Sequence, residues 1–207
     1  MKYVSAPLLL CSAVFMLAPT GLAAQNHASV TSTGSNNAVT TDQSATTGAS
    51  ITVEQIGNNN RTEATQESSN ASLVASAEGD AQTQIVVQRG LTDNQASIQS
   101  IGSDNYASLT QDGTVGSNIA TLIQAGSGNQ AVMNQYALGG VNSILLGQYG
   151  NNNLAELTQN GSDNDIQLQQ NGDNNAAAVT QNGNGLNFGL TQNGGAQITV
   201  TQTSPGG

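Results

Sequence analysis

The sequence predicts an all-β protein, a β-solenoid of about eight strand-turn-strand rungs following a leader. Three observations lead there. One short pattern recurs from end to end. Its spacing alternates between a fixed and a variable step. Within each unit the apolar residues keep a period of two. The composition agrees: 207 residues hold 24 Gly but no Trp, and only 3% are aromatic. So few large side chains cannot fill a thick, irregular core. At 8% charged residues, disorder driven by charge is not expected either. Chains rich in Asn and Gln and low in charge fall instead among repetitive, β-prone sequences.

The first element is residues 1–24, which read as a secretory signal peptide. Lys2 supplies the positive start, Leu8, Leu9, Leu10, Val14, Phe15, Met16 and Leu17 the apolar run, and Ala23 and Ala24 the small residues for cleavage. The apolar run is too short and too interrupted by Pro19 and Gly21 for a membrane span. No small residue stands before Cys11, as a lipoprotein cysteine would need. Cleavage removes Cys11, the only cysteine, so no disulfide is expected. Loss of Lys2 takes the net charge from −10 to −11, and only Arg61 and Arg89 remain as fixed cations. Nucleic-acid partners need many more, and anionic lipid needs a basic patch.

Residues 25–202 are the repeat. The pattern Gln-x-Gly-x-x-Asn-x-Ala-x-x-x-Gln is intact at Gln124, Gly126, Asn129, Ala131, Gln135; at Gln148, Gly150, Asn153, Ala155, Gln159; and at Gln170, Gly172, Asn175, Ala177, Gln181. Earlier copies carry it as Gln55, Gly57, Asn60, Gln66 and as Asn105 and Gln111. The anchors fall at 32, 43, 55, 66, 77, 88, 100, 111, 124, 135, 148, 159, 170, 181, 192 and 202, and all but Ser32, Ala77 and Ser100 are Gln. From 32, 55, 77, 100, 124, 148 and 170 the step is always 11, whereas from the intervening anchors it runs from 11 to 13. Two units therefore make one rung, with one fixed and one variable connection. Gly stands two residues after the anchor in every fixed connection, where a tight turn needs φ > 0. Residues 203–207 are left as a short tail.

Parity orients the strands. Alternate residues of a strand face one side. Asn129, Ala131, Met133 and Gln135 share a face, as do Asn105, Ala107, Leu109 and Gln111, while Tyr106, Ser108 and Thr110 take the other. One such unit cannot bury a core alone, but stacked units can. Stacking sets Gln over Gln and Asn over Asn, so their amides can donate and accept along the stack. Left unpaired, each buried amide costs about 1–3 kcal/mol. The Gln, Gly and Asn named above are accordingly the candidate stacking residues. The rungs containing Ser68-Ser69-Asn70 and Ala77-Glu78-Gly79 depart most from the pattern and are expected to be the weakest.

The repeat resembles that of curlin, the subunit of bacterial curli amyloid fibres, over nearly all of residues 26–202. The resemblance implies export through the periplasm and an outer-membrane secretion machinery. It also implies extracellular polymerisation into fibres at the cell surface, with roles in adhesion and biofilm matrix. The family has a major fibre subunit and a minor nucleator, each the other's partner. Two departures bear on which this is. Asn26 enters the first rung with no separate secretion segment before it, and the C-terminal repeat is not basic as a nucleator's would be. A fibre-forming subunit is the favoured reading, with a nucleator or a monomeric solenoid adhesin as alternatives.

No residue set points to catalysis or a cofactor. His27, the only histidine, cannot make a metal cluster or a triad. Asp163, Asp165 and Asp173 read as solvated turn acids, and Glu63 and Glu67 as surface partners of Arg61. An outward rank of Thr65, Thr110, Thr158, Thr180 and Thr201 suits cross-strand contact, though Val87 and Asn134 interrupt it. The ends carry the self-association: Asn26, Ala28 and Val30 at one and Ile198, Val200 and Gln202 at the other form edges without Lys, Pro or a covering element. The inward residues of the last strand match those of the first, so one molecule can continue into the next.

Overall fold

The computed structural model describes residues 12–16, 26–43, 46–91 and 93–204. Its strands, β1 to β17 in chain order, form two parallel sheets. The eight-stranded sheet holds β2 (His27–Thr33), β4 (Ser50–Ile56), β6 (Ser72–Asp80), β8 (Gln95–Ser103), β10 (Ser117–Ser127), β12 (Val141–Tyr149), β14 (Asp165–Asn171) and β16 (Asn187–Asn193). The nine-stranded sheet holds β1 (Ser12–Met16), β3 (Ala38–Asp42), β5 (Arg61–Gln66), β7 (Thr83–Gly90), β9 (Tyr106–Gly113), β11 (Gln130–Gly139), β13 (Leu154–Ser162), β15 (Ala176–Asn184) and β17 (Gln197–Thr203). Each even strand and the odd strand after it make a rung. The all-β solenoid of eight rungs read from the spacings is the observed fold, and no helix occurs among the described residues.

Register follows the sequence repeat. On β13 and β15, Ala155 pairs with Ala177, Leu157 with Val179, Gln159 with Gln181 and Gly161 with Gly183. A one-residue slip would turn every buried side chain outward, so the two-residue period enforces this register. An insertion is absorbed at the end of a strand at Ala137/Gly139, where the register of β11 against β13 shifts. The core lies between the sheets in continuous columns. One runs through Ile98, Leu122, Leu146 and Leu168, another through Leu109, Met133, Leu157 and Val179.

The fixed turn has two left-handed positions, of which the sequence announced one. Gly57, Gly79, Gly102, Gly126 and Gly150 sit at φ between 115° and 127°. A Cβ on Gly57 would collide with the carbonyl oxygen of Gly79 in the next rung, so stacking as well as φ requires glycine. Two residues on, Asn36, Asn59, Asp104, Asn152 and Asn174 adopt φ between 53° and 59°. Asn, Asp and Gly visit that region routinely and other residues do so at a cost. Ala81 is the exception, at φ 56°.

Ser12–Met16, which falls within the segment read as a leader, pairs in parallel with β3 from Ser12↔Ala38 to Met16↔Asp42. The rest of that segment, its cleavage site and Cys11 included, lies outside the described residues.

The strained turn gives a prediction. Ala81→Asn keeps the backbone and relieves the left-handed cost, so it should stabilise the fold by about 0.5–1 kcal/mol. Denaturant unfolding of the variant beside the unsubstituted chain measures this, and an unchanged or lower midpoint would contradict it.

Candidate functional site

The stacking residues fall into two sets with different bonding. The Gln anchors of the odd strands form one column through seven hydrogen bonds: Gln43 to Gln66, Gln88, Gln111, Gln135, Gln159, Gln181 and Gln202, each 2.8–3.0 Å from Nε2 to the next Oε1. From Gln66 to Gln181 these side chains are fully buried. The same Nε2 atoms donate their second hydrogen across the core. Gln135 reaches the Ile119 carbonyl at 3.0 Å and Gln159 that of Ser143 at 2.8 Å. Both amide hydrogens are therefore used. Turning an amide over would set its oxygen against a carbonyl oxygen, so the cross-core bond fixes the direction of the column.

The even strands repeat this from Gln124 to Gln148, Gln170 and Gln192 at 2.8–3.0 Å. Below Gln124 the anchors are Ser100 and Ala77, and the column crosses the core instead. Gln55 donates to the Thr62 hydroxyl at 2.9 Å, which donates to Gln84 at 3.4 Å. Gln84 donates to the Ser100 hydroxyl at 3.2 Å, and Ser100 donates to Gln124 at 3.1 Å. In three rungs a Gln on the even strand is matched by Ala at the first inward position after Asn: Gln124 with Ala131, Gln148 with Ala155 and Gln170 with Ala177. In the rung of β6 and β7 the two residues have changed places: Ala77 holds the Gln position and Gln84 the Ala position. The amide arrives from the opposite sheet, so a rung expected to be among the weakest keeps its polar connection. The unpaired atom nearby belongs to the rung before: Gln55 Oε1 is buried without a partner, because Ser32 in the rung preceding it has no amide to offer.

Asn does not build the same ladder. Asn129 Oδ1 accepts from the backbone N–H of Asn153 at 3.0 Å, and Asn129 Nδ2 donates to the Gly150 carbonyl at 2.8 Å. Asn105, Asn60 and Asn153 repeat the donation to Gly126, Gly79 and Gly172, and Asn175 is held by Asn153 Oδ1. The shorter side chain serves the turn, where the left-handed residue leaves backbone groups outside the strand ladder. Gln82 shows why length matters. It replaces Asn in the third rung and reaches the Gly102 carbonyl at 2.6 Å, yet its Oε1 has no partner.

Surface groups differ in detail from the sequence reading. Arg61 pairs with Glu63, but Glu67, the residue after β5, pairs with Arg89 of the next rung at 3.1 Å. Asp173 and Asp163 are turn braces: Asp173 accepts from Asn151 N–H at 2.7 Å and Asp163 from Val141 N–H at 3.0 Å. His27 is exposed on β2.

The open edges are also rearranged. At the C-terminal end the outermost strands are β16 and β17; at the other, β2 and β1. Val200 and Ile198 are half-buried there, whereas their neighbour Val179 is 1% exposed. Ala28, Val30 and Asn26 are half-buried likewise. If the winding continued into a second copy, β16 would lie beside that copy's β2 and β17 beside its β3. Ile198, Val200 and Gln202 would then meet Val39, Thr41 and Gln43, and Phe188, Leu190 and Gln192 would meet Ala28, Val30 and Ser32. The first-to-last matching made from sequence joined strands of different sheets.

Two predictions follow from the amides. Gln135→Ala breaks bonds on both sides of its column and should cost about 2–4 kcal/mol, while exposed Gln130→Ala should stay within about 0.5 kcal/mol. Equal midpoints in thermal or denaturant unfolding would refute the column. For the exchanged pair, Gln84→Ala should destabilise the fold, and adding Ala77→Gln should restore most of the loss. A double-mutant cycle reads this as a coupling energy, and additive effects would mean the amide does not replace the missing anchor.

Comparison with known proteins gives one match: the curlin associated repeat, over residues 161–194. No curated protein and no solved structure matches the chain. The matched stretch runs from the end of β13 through β14, β15 and β16 to the turn after it, one rung and the first strand of the next. Its Gln170, Gly172, Asn175 and Gln181 are the same residues that recur in register through the other rungs. The β-solenoid of eight rungs thus holds, at residues 161–194, a stretch that matches the curlin associated repeat.

Proposed function

We propose that the chain is a secreted fibre subunit that adds head to tail into an extracellular, curli-like amyloid for surface adhesion and biofilm matrix. Signal-peptide cleavage, export by an outer-membrane machinery and a partner subunit of the same repeat type belong to this reading. The observation that carries it is the pair of unfinished ends. Among the described residues no strand pairs with the outer edges of β16 and β17 at one end or of β2 at the other, and both ends have the register of the interior. Unpaired strand edges recruit further strands unless something blocks them. The contact joins unlike ends, so it does not close on itself and extends as a filament.

The ends also favour one alignment. Gln202 of one copy meets Gln43 of the next and prolongs the odd-strand column. Phe188, the largest inward side chain of the last rung, meets Ala28, the smallest of the first. β1 lies on the edge of β3 that this contact uses, so removal of residues 1–24 frees it.

The test is polymerisation of purified protein. A chain cut after Ala24 should form filaments at micromolar concentration without a cofactor, with a cross-β reflection at ~4.8 Å along the fibre axis. The uncut chain should elongate more slowly on the same seeds. A cut chain that stays monomeric for days with seeds present would support the adhesin reading instead. Separate deletion of this gene and its neighbours, followed by imaging of surface fibres, distinguishes fibre subunit from nucleator.

A further inference from the structure

The outer face of the eight-stranded sheet is uneven in a way that neither the fold nor head-to-tail addition requires. On β8, β10 and β12 the outward residues are Gln95, Ser97, Gln99, Ile101, Ser117, Ile119, Thr121, Ile123, Ala125, Val141, Ser143, Leu145, Gly147 and Tyr149. None is charged, in a molecule of net charge −10. The flanking strands of the same face carry Glu54, Glu78 and Asp165. The opposite sheet spreads Arg61, Glu63, Arg89, Asp112 and Glu156 over its exterior. Leu145 is 47% exposed, Tyr149 39% and Ile119 38%. Ile56 on β4 and Val74 on β6 are exposed as well, but there Glu54 and Glu78 stand on the same strands, so only β8 to β12 combine apolar exposure with an absence of charge on this face.

The patch also has relief. Gly147 and Gly189 have no side chains on this face, and a groove of about 410 Å³ runs over them, walled by Ile123, Leu145, Tyr149, Gln167 and Thr191. The Tyr149 ring lies across Gly147, where a Cβ would stand 2.8 Å from its Cε2. Ridges of Leu145 and Tyr149 thus border a depression on the same surface.

From these features we infer that this face is a lateral contact between two copies of the chain, and that it operates between filaments and not between monomers. The inference rests on the head-to-tail reading. A second copy is the occupant that the charges select. Two molecules of charge −10 repel wherever their acids face, and the uncharged band of β8 to β12 is where they can approach. A patch with both ridge and groove can meet itself about a two-fold axis.

Area decides when this happens. Three strands ~4.8 Å apart and about nine residues long offer roughly 370 Å² per copy. A stable pair needs about 800 Å² on each side, so single molecules stay apart. In a filament the patch returns once per molecule, every ~38 Å along one side. Three consecutive molecules present roughly 1,100 Å², and linked contacts reinforce one another. Pairing therefore follows polymerisation.

The experiment compares filaments of the chain with those of Leu145→Glu and Asn134→Glu by electron microscopy, with elongation followed in parallel. Asn134 lies outward on β11 of the opposite sheet, so both variants add the same charge. The unsubstituted chain should give paired filaments from monomeric starting material. Leu145→Glu should give single filaments at an unchanged elongation rate, and Asn134→Glu should remain paired. Thr121→Glu, on the same face, repeats the test if Leu145→Glu does not fold. Single filaments of the unsubstituted chain, pairing that survives both charges on this face, or equal splitting by Asn134→Glu would overturn the inference. Single filaments that adsorb to an apolar surface, and lose this in Leu145→Glu, would assign the face to that surface and overturn it likewise. Absence of any filament would instead overturn the head-to-tail reading on which it rests.

Discussion

A buried amide must find partners for two donors and an oxygen, and this requirement organises the molecule. A hydrocarbon core tolerates a two-residue slip between rungs, because one apolar residue still packs on another at small loss. A Gln shifted by two positions leaves groups unpaired in a medium where each costs about 1–3 kcal/mol. Like must therefore stand over like. The 11-residue fixed step keeps Gln over Gln, and insertions are confined to the connections that do not set this alignment. Apolar columns supply much of the stabilisation and the amides supply the register.

The turn solves the complementary problem. Tight reversal places residues in left-handed conformations and takes backbone groups out of the strand ladder. Asn is the length that returns them to hydrogen bonding, with one bond to the next rung's N–H and one to its Gly carbonyl. Gln is the length that spans from one amide to the next within a column while reaching the facing strand. A difference of one methylene separates turn brace from ladder member, and the orphaned Oε1 of Gln82 marks what happens when the two are exchanged.

The rung count, the parity of the strands and the alternation of connections were all legible in the sequence, because each is a periodicity that an insertion or substitution would visibly break. The division of labour between Gln and Asn was not, since both appear as amides at inward positions. The detour at Ala77 was hidden for another reason. It depends on which residue lies opposite across the core, and Gln84 stands in a slot that Ala, Val, Thr or Ile fill in the other rungs, so Ala77 read only as a departure from the pattern. The ends were half legible. Their open chemistry is in the sequence, but which strand continues into which depends on the assignment of alternate strands to different sheets.

The amide columns have one direction. Every Gln-to-Gln bond, on both sheets, runs from the donor of one rung to the acceptor of the rung after it. Side-chain dipoles aligned in this way add, as peptide dipoles do along a helix. Head-to-tail growth would leave the sum uncancelled, so a long filament would be an electrically polar rod whose two tips differ in sign. Such a rod would turn to a definite orientation in an applied electric field, and a bundle of filaments lying in opposite directions would not.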